Sequence, residues 1–139
     1  VGASFEERSV WIQLFALSVV LGGYFFVAWR MWSHGVIALP AYVAVFAVAV
    51  GLMVIVMVAG HVAVALASRP GGRDERDRLI EWRAESRSGW LVAVGVFAGI
   101  TAMVLSVPDV LTAHLLLLSL LLSEMLKLVL QLVDYRWGL

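Results

Sequence analysis

Four long apolar stretches constrain this chain more than anything else in it. They cover about residues 10–29, 41–67, 88–107 and 110–133; the first two carry no charge, and the fourth contains Glu124 and Lys127. Crossing the hydrocarbon core of a bilayer takes about 20 apolar residues, so each stretch is long enough to span it. Of the 139 residues, 63% are hydrophobic and only 14% charged. A soluble domain is about half apolar and a quarter charged, and a domain of this length cannot hide the excess in one aqueous core. A soluble enzyme is thereby excluded. Hydrocarbon offers the backbone no partners, so each segment must satisfy its own hydrogen bonds as a helix, and the two-residue alternation of a barrel strand is missing. The sequence predicts an all-α polytopic membrane protein: one domain over residues 1–139, with four transmembrane helices in an antiparallel bundle.

Residues 4–8 hold two glutamates and one arginine, unlike the basic leader of a secretory signal, so the first stretch is expected to remain as a span. Direction follows from the distribution of Lys and Arg in the short loops. With an even number of spans, both termini share a side with the middle loop, 68–87. That side carries Arg8, Arg69, Arg73, Arg76, Arg78, Arg83, Arg87 and Arg136, against Arg30 alone on the other. Termini and middle loop are therefore expected in the cytoplasm of a bacterium, with the chain in its inner membrane. Trp11, Trp82, Trp90, Tyr135 and Trp137 would mark the inner interface, and Trp29, Trp32 and Tyr42 the outer one.

The outer connections are short. Residues 31–40 form one loop, and Ser106-Val107-Pro108-Asp109 a tight turn in which Ser106 is expected to cap the fourth helix. In the middle loop, Arg69-Pro70-Gly71-Gly72 ends the second span, and the stretch from Arg73 to the third span reads as a helix without a breaker until Gly89. Asp74 precedes Arg78 by four residues, a supporting pair on a helix face. Two readings stand for this helix: a solvated, salt-bridged extension, or a contact surface for lipid headgroups or a partner, centred on Asp74, Glu75, Arg76, Asp77 and Arg78. Its arginines would attract anionic lipid, and its five acids work against that.

Ionisable groups within spans are expensive and mark candidate function. Counting about 1.5 Å per residue, His61 and Lys127 lie about 9 Å, and Glu124 about 13 Å, from the inner edge. Gln13 and Gln131 are close to that level. Glu124 and Lys127, three residues apart, are placed to form an ion pair, with Gln131 on the same stripe. His61, Glu124, Lys127, Gln131 and Gln13 thus read as an intramembrane polar cluster, either a staple that fixes helix register or a proton or ligand site. Glu124 is expected to face the bundle interior, where its replacement by leucine would cost about 1–3 kcal/mol. His114 sits near the outer edge, too far in depth from His61 for the two to clamp a haem. No cofactor or metal is expected, and the chain has no cysteine.

Gly95 and Gly99 form a GxxxG pattern, and Ala47 and Gly51 repeat the spacing, which permits close helix approach within the chain or in a homo-oligomer. No P-loop, GxGxxG, HExxH or nucleophile–base–acid set is present, so a non-enzymatic role is expected. The acids among the arginines argue against nucleic acid.

Two stretches carry a resemblance. Asp74-Glu75-Arg76-Asp77-Arg78-Leu79-Ile80-Glu81 resembles the D-E-R-D/E-x-x-I loop of a family of small bacterial integral membrane proteins of unknown function. Glu124, Lys127 and Gln131, followed by Tyr135-Arg136 and Gly138, are similar to that family's C-terminal pattern. Its members often occur near small helix-turn-helix regulators, which implies a signalling or regulatory role. The expected function is action through a partner protein or membrane lipid at the charged loop. The alternative is a small transporter or proton-coupled sensor built on the polar cluster.

Overall fold

The computed structural model describes residues 5–67 and 74–138. These form five α-helices and no strand: α1 (Phe5–Ser33), α2 (Ala41–Ala67), α3 (Glu75–Ser88), α4 (Trp90–Val104) and α5 (Asp109–Trp137). The anticipated Arg69-Pro70-Gly71-Gly72 break, with Arg73, lies outside the described residues. Gly89 keeps right-handed helical dihedrals, φ −60° and ψ −24°, so α3 runs into α4 as a nearly unbroken rod of 30 residues. α1, α2, the α3–α4 rod and α5 are each long and apolar enough to cross a membrane. The chain is an all-α, multi-pass membrane protein.

The helix ends show why the chain breaks where it does. Asp74 starts α3 with a capping box: its carboxylate accepts from Glu75 N at 2.7 Å, and Asp77 Oδ2 accepts from Asp74 N at 3.1 Å. α1 ends in a Schellman turn. Val36 N donates to Met31 O and Gly35 N to Trp32 O, with Gly35 at φ +81°. α4 ends in the same way, but the left-handed position is held by Ser106, at φ +56°. Val107 N donates to Ala102 O at 2.9 Å and Ser106 N to Met103 O at 3.0 Å. Ser106 therefore closes α4 and does not cap α5. Pro108 precedes α5, with no side-chain cap there.

α1 and α5 lie side by side at the centre of the bundle. α2 packs along the outer side of α1, while α3 and α4 pack along α5. One core cluster, Val10, Leu17, Leu128 and Leu132, ties α1 to α5 toward the end that carries α3. A second, Tyr24, Ala28, Tyr42 and Val110, closes the far end. Among the described residues of α2 only Tyr42 is buried. The partly buried positions 45, 49, 53, 56, 57, 60, 61 and 64 follow at helical spacing and face α1. The remaining surface of α2 is apolar and exposed, as suits a helix bathed in lipid.

α4 meets α5 through its glycines. A Cβ added at Gly95 would overlap Ser119, and one at Gly99 would press into Leu116. The GxxxG pattern therefore serves contact within the chain. Gly51 has nothing within 4 Å of the position a Cβ would take. α3 docks by a stripe at four-residue spacing, Ile80, Ala84 and Ser88, which are 1%, 0% and 2% exposed. Ser123 Oγ donates to Ser88 O at 3.0 Å beneath it.

Candidate functional site

Hydrogen bonds between helices fix which residues share a level. Ser123 lies opposite Ser88, and Tyr135 Oη donates to Asp77 Oδ1 at 3.0 Å. Residues 124–135 of α5 therefore run alongside α3, not alongside apolar α4. Glu124, Lys127 and Gln131 share their level with the charged residues of α3. The helix expected from Arg73 onward therefore stands beside the C-terminal half of α5.

The five residues of the anticipated cluster are divided between two arrangements. Lys127 Nζ and Glu124 Oε2 pair at 2.6 Å, with the Glu124 side chain 45% exposed and that of Lys127 22%. The carboxylate is thus at the side of the bundle and not in its interior. His61 belongs to a separate relay between α1 and α2. Its Nδ1 donates to Met57 O at 2.7 Å, because a carbonyl only accepts. In the neutral ring Nε2 then accepts from the Ser9 hydroxyl at 2.7 Å, and Gln13 Nε2 donates to the same oxygen at 3.3 Å. His114 repeats the device at the far end: Nδ1 donates to Val110 O at 2.7 Å, and Nε2 meets Tyr24 Oη at 2.9 Å. In both cases a histidine on one helix ties its own preceding turn to a hydroxyl on α1.

Gln13, Lys127 and Gln131 come together around a polar pocket of about 80 Å³ at the α3 end. α1 contributes Glu6, Ser9 and Gln13 to its wall. α3 contributes Asp77 and Glu81, and α5 contributes Lys127, Gln131 and Tyr135. Val10 and Leu128 form its apolar floor. Neither His61 nor Glu124 lines it. Gln131, 7% exposed, lines it from α5. Among the described residues the buried side-chain polar atoms without a partner are Thr112 Oγ1 and Asp134 Oδ2, and neither residue lines the pocket.

The sequence reading missed Glu6, Ser9, Asp77, Glu81 and Tyr135 as pocket residues. A signal for two of them was present: Asp77 and Glu81 are four apart and continue toward Ala84 and Ser88, so a helical projection puts them beside the buried stripe. Of the anticipated contact residues, Asp74 and Asp77 are occupied by the cap of α3, and Asp77 also by Tyr135. Glu75, Arg76 and Arg78 are exposed. Near the termini, Arg136 Nε donates to Glu7 Oε1 at 3.2 Å, and its guanidinium lies 5.6 Å from the centre of the Trp11 ring. Among the described residues, no three His, Cys, Asp or Glu side chains are grouped to hold a metal ion.

No family model matches the chain, and no curated protein or solved structure is significantly similar to it. The fold and site alone define its class: a four-span α-helical membrane protein with a helical extension at one end that encloses a small polar pocket.

Proposed function

We propose that this is a non-enzymatic protein of the bacterial inner membrane, with both termini and α3 in the cytoplasm, that acts in signalling or regulation through contacts made by α3. The carrying observation is the division of α3 into two faces. Ile80, Ala84 and Ser88 are committed to α5, and Asp77 and Glu81 turn toward the pocket. On the other side Arg76, Arg78, Arg87, Leu79 and Trp82 are exposed, Trp82 at 69%. None of these arginines is paired with a carboxylate among the described residues. Two of the five acids, Asp77 and Glu81, are drawn to the pocket, while Asp74, Glu75 and Glu85 stay exposed, so the outer surface of α3 is mixed in charge with arginine in slight excess. Arg87, three residues from Trp90, is within about 5 Å of it along the axis and suits lipid headgroups. Arg76 and Trp82 stand further out and suit a partner protein. The excess of arginine on this side supports the cytoplasmic orientation, and the resemblance of the α3 and C-terminal motifs to small bacterial membrane proteins supports the setting.

The test combines topology with contact. A reporter fused after Leu139 is expected to be active only in its cytoplasmic form. A photo-reactive residue at Trp82 in native membranes is expected to give a discrete protein adduct that Arg76→Glu with Arg78→Glu abolishes. An adduct pattern unchanged by the charge reversal would reduce α3 to a connector.

The polar pocket favours a second reading, a small sensor or transporter. A transport path would have to continue through the far half of the bundle. Directly beyond the pocket Leu14, Leu17, Leu21 and Leu121 pack between α1 and α5, and at the far end His114 is already bonded to Tyr24 and Val110. Sensing at the pocket needs no such path.

A further inference from the structure

The spans share one boundary at the far end and reach different depths at the α3 end. At the far end Tyr24, Ala28, Tyr42 and Val110 pack in one cluster, and residues 105–108 join α4 directly to α5, so all four spans are level there. On α5 Glu124 lies about 22 Å beyond Asp109, at 1.5 Å per residue, and its side chain is 45% exposed. Ser88 is bonded to Ser123 and shares that level, and Arg87 and Glu85 follow on the exposed surface of α3. On α1 the apolar run ends at Ser9, next to Val10, which shares a core cluster with Leu128, about 8 Å beyond Ser123. Ser9 is bonded to His61, and α2 continues without Asp, Glu, Lys or Arg to Ala67, about 9 Å further.

The apolar belt is therefore a wedge. It measures about 22 Å beside α3 and about 40 Å along the 27 residues of α2. A hydrocarbon core of about 30 Å matches α1, falls short of α2, and would cover Glu124, Arg87 and Glu85. Tilting the molecule does not remove the mismatch, because a tilt moves the level far ends together with the uneven ones. Exposed charge in hydrocarbon is costly, and a bilayer yields to it by thinning. Arg83 and Arg87 have no carboxylate partner among the described residues. Toward the far end the same edge is apolar, with Phe97, Ile100 and Val104 exposed on α4. Basic groups at one end and an apolar face above them match the headgroup and acyl chains of a phospholipid, and a guanidinium binds phosphate through paired hydrogen bonds.

We propose that the α3–α4 edge binds phospholipid in a locally thinned leaflet, with headgroup phosphate on Arg87 and Arg83 about 8 Å nearer the far end than the headgroups beside α1. The thinning also admits water to Glu85 and to the Glu124–Lys127 pair. This deepens the reading of Arg87 as a lipid contact and is independent of a protein partner at Trp82, whose adducts test that partner separately.

The chain has no cysteine, so one introduced cysteine carries a nitroxide at a single position. Ser86→Cys on α3 and Val58→Cys on α2 stand at nearly the same height, and Val62→Cys about 6 Å beyond Val58; all three positions are exposed. The full chain is reconstituted in bilayers of palmitoyl-oleoyl phosphatidylcholine and phosphatidylglycerol, and relaxation of the nitroxide by oxygen is compared with relaxation by a water-soluble nickel chelate. Nickel is expected to dominate at Ser86, and oxygen at Val58 and Val62. Arg83→Leu with Arg87→Leu should bring the Ser86 label to the oxygen-dominated ratio of Val58, while the Val58 label, unchanged, reports that the fold is kept. A belt of even thickness would give Ser86 and Val58 the same ratio, with Val62 the most open to nickel, and would overturn the proposal. A Ser86 label shielded from both reagents would overturn it too, by marking a protein contact. So would one indifferent to the arginine replacements, by removing phosphate as the ligand.

Discussion

Adding one methyl group at different glycines of this chain should have opposite effects. In a helix interior, Gly→Ala gains about 0.5–1 kcal/mol because alanine has less backbone freedom to lose. At Gly22 and Gly51 nothing lies within 4 Å of the new Cβ, so that gain should appear in full. At Gly95 the new Cβ would overlap both Oγ and Cβ of Ser119, whose hydroxyl is bonded at 2.8 Å to Leu116 O. Rotation of the hydroxyl cannot relieve a contact with Cβ, so α4 must move off α5. Overpacking of this kind costs about 1–3 kcal/mol. Set against the propensity gain, Gly95→Ala should destabilise by about 0.5–2 kcal/mol. Gly99→Ala should cost less, because the atom it meets first is the end of the Leu116 side chain. Ser119→Gly removes the obstruction and should restore most of the loss when combined with Gly95→Ala, a coupling that a double-mutant cycle measures directly. Reversible unfolding in detergent micelles, monitored by helical circular dichroism, is the assay. If Gly95→Ala stabilises as much as Gly22→Ala does, the close approach of α4 and α5 is wrong. If Gly51→Ala instead destabilises, and does so more at higher protein concentration, a second copy packs on α2.

Further expectations test the turns, α3 and the ion pair. Ser106 holds a left-handed conformation that suits glycine, so Ser106→Gly should stabilise by about 1 kcal/mol, while Gly35→Ala at the equivalent position of α1 should cost about as much; thermal unfolding of both variants checks the sign. Ile80→Ala should cost about 2–4 kcal/mol and speed hydrogen exchange across α3, while the amides of α1 stay protected. Glu124→Leu should change stability by less than about 1 kcal/mol in chemical denaturation, because its carboxylate is half exposed beside Lys127. A loss of several kcal/mol there would place Glu124 in the interior after all.

Hydrophobic content by itself determined that this chain has four spans and that they are helices. Segment length and the want of backbone partners in hydrocarbon act on each stretch alone, so no knowledge of neighbours is needed. The run of α3 into α4 was legible for the same reason, since no breaker interrupts it before Gly89 and Gly89 stays helical. Membership of the site was decided only by the tertiary structure. The sequence gathers Glu124, Lys127 and Gln131 on one helix, but their surroundings depend on which helix lies beside α5, and a loop of unknown course hides that. Once α3 docks through Ile80 and Ala84, Asp77 and Glu81 enter the pocket, Tyr135 finds Asp77, and Glu124 is left at the side with Lys127. His61 goes instead to Ser9, because α2 rests on α1. Spacing along one helix records which side chains share a face, and only the packing of helices decides what that face meets.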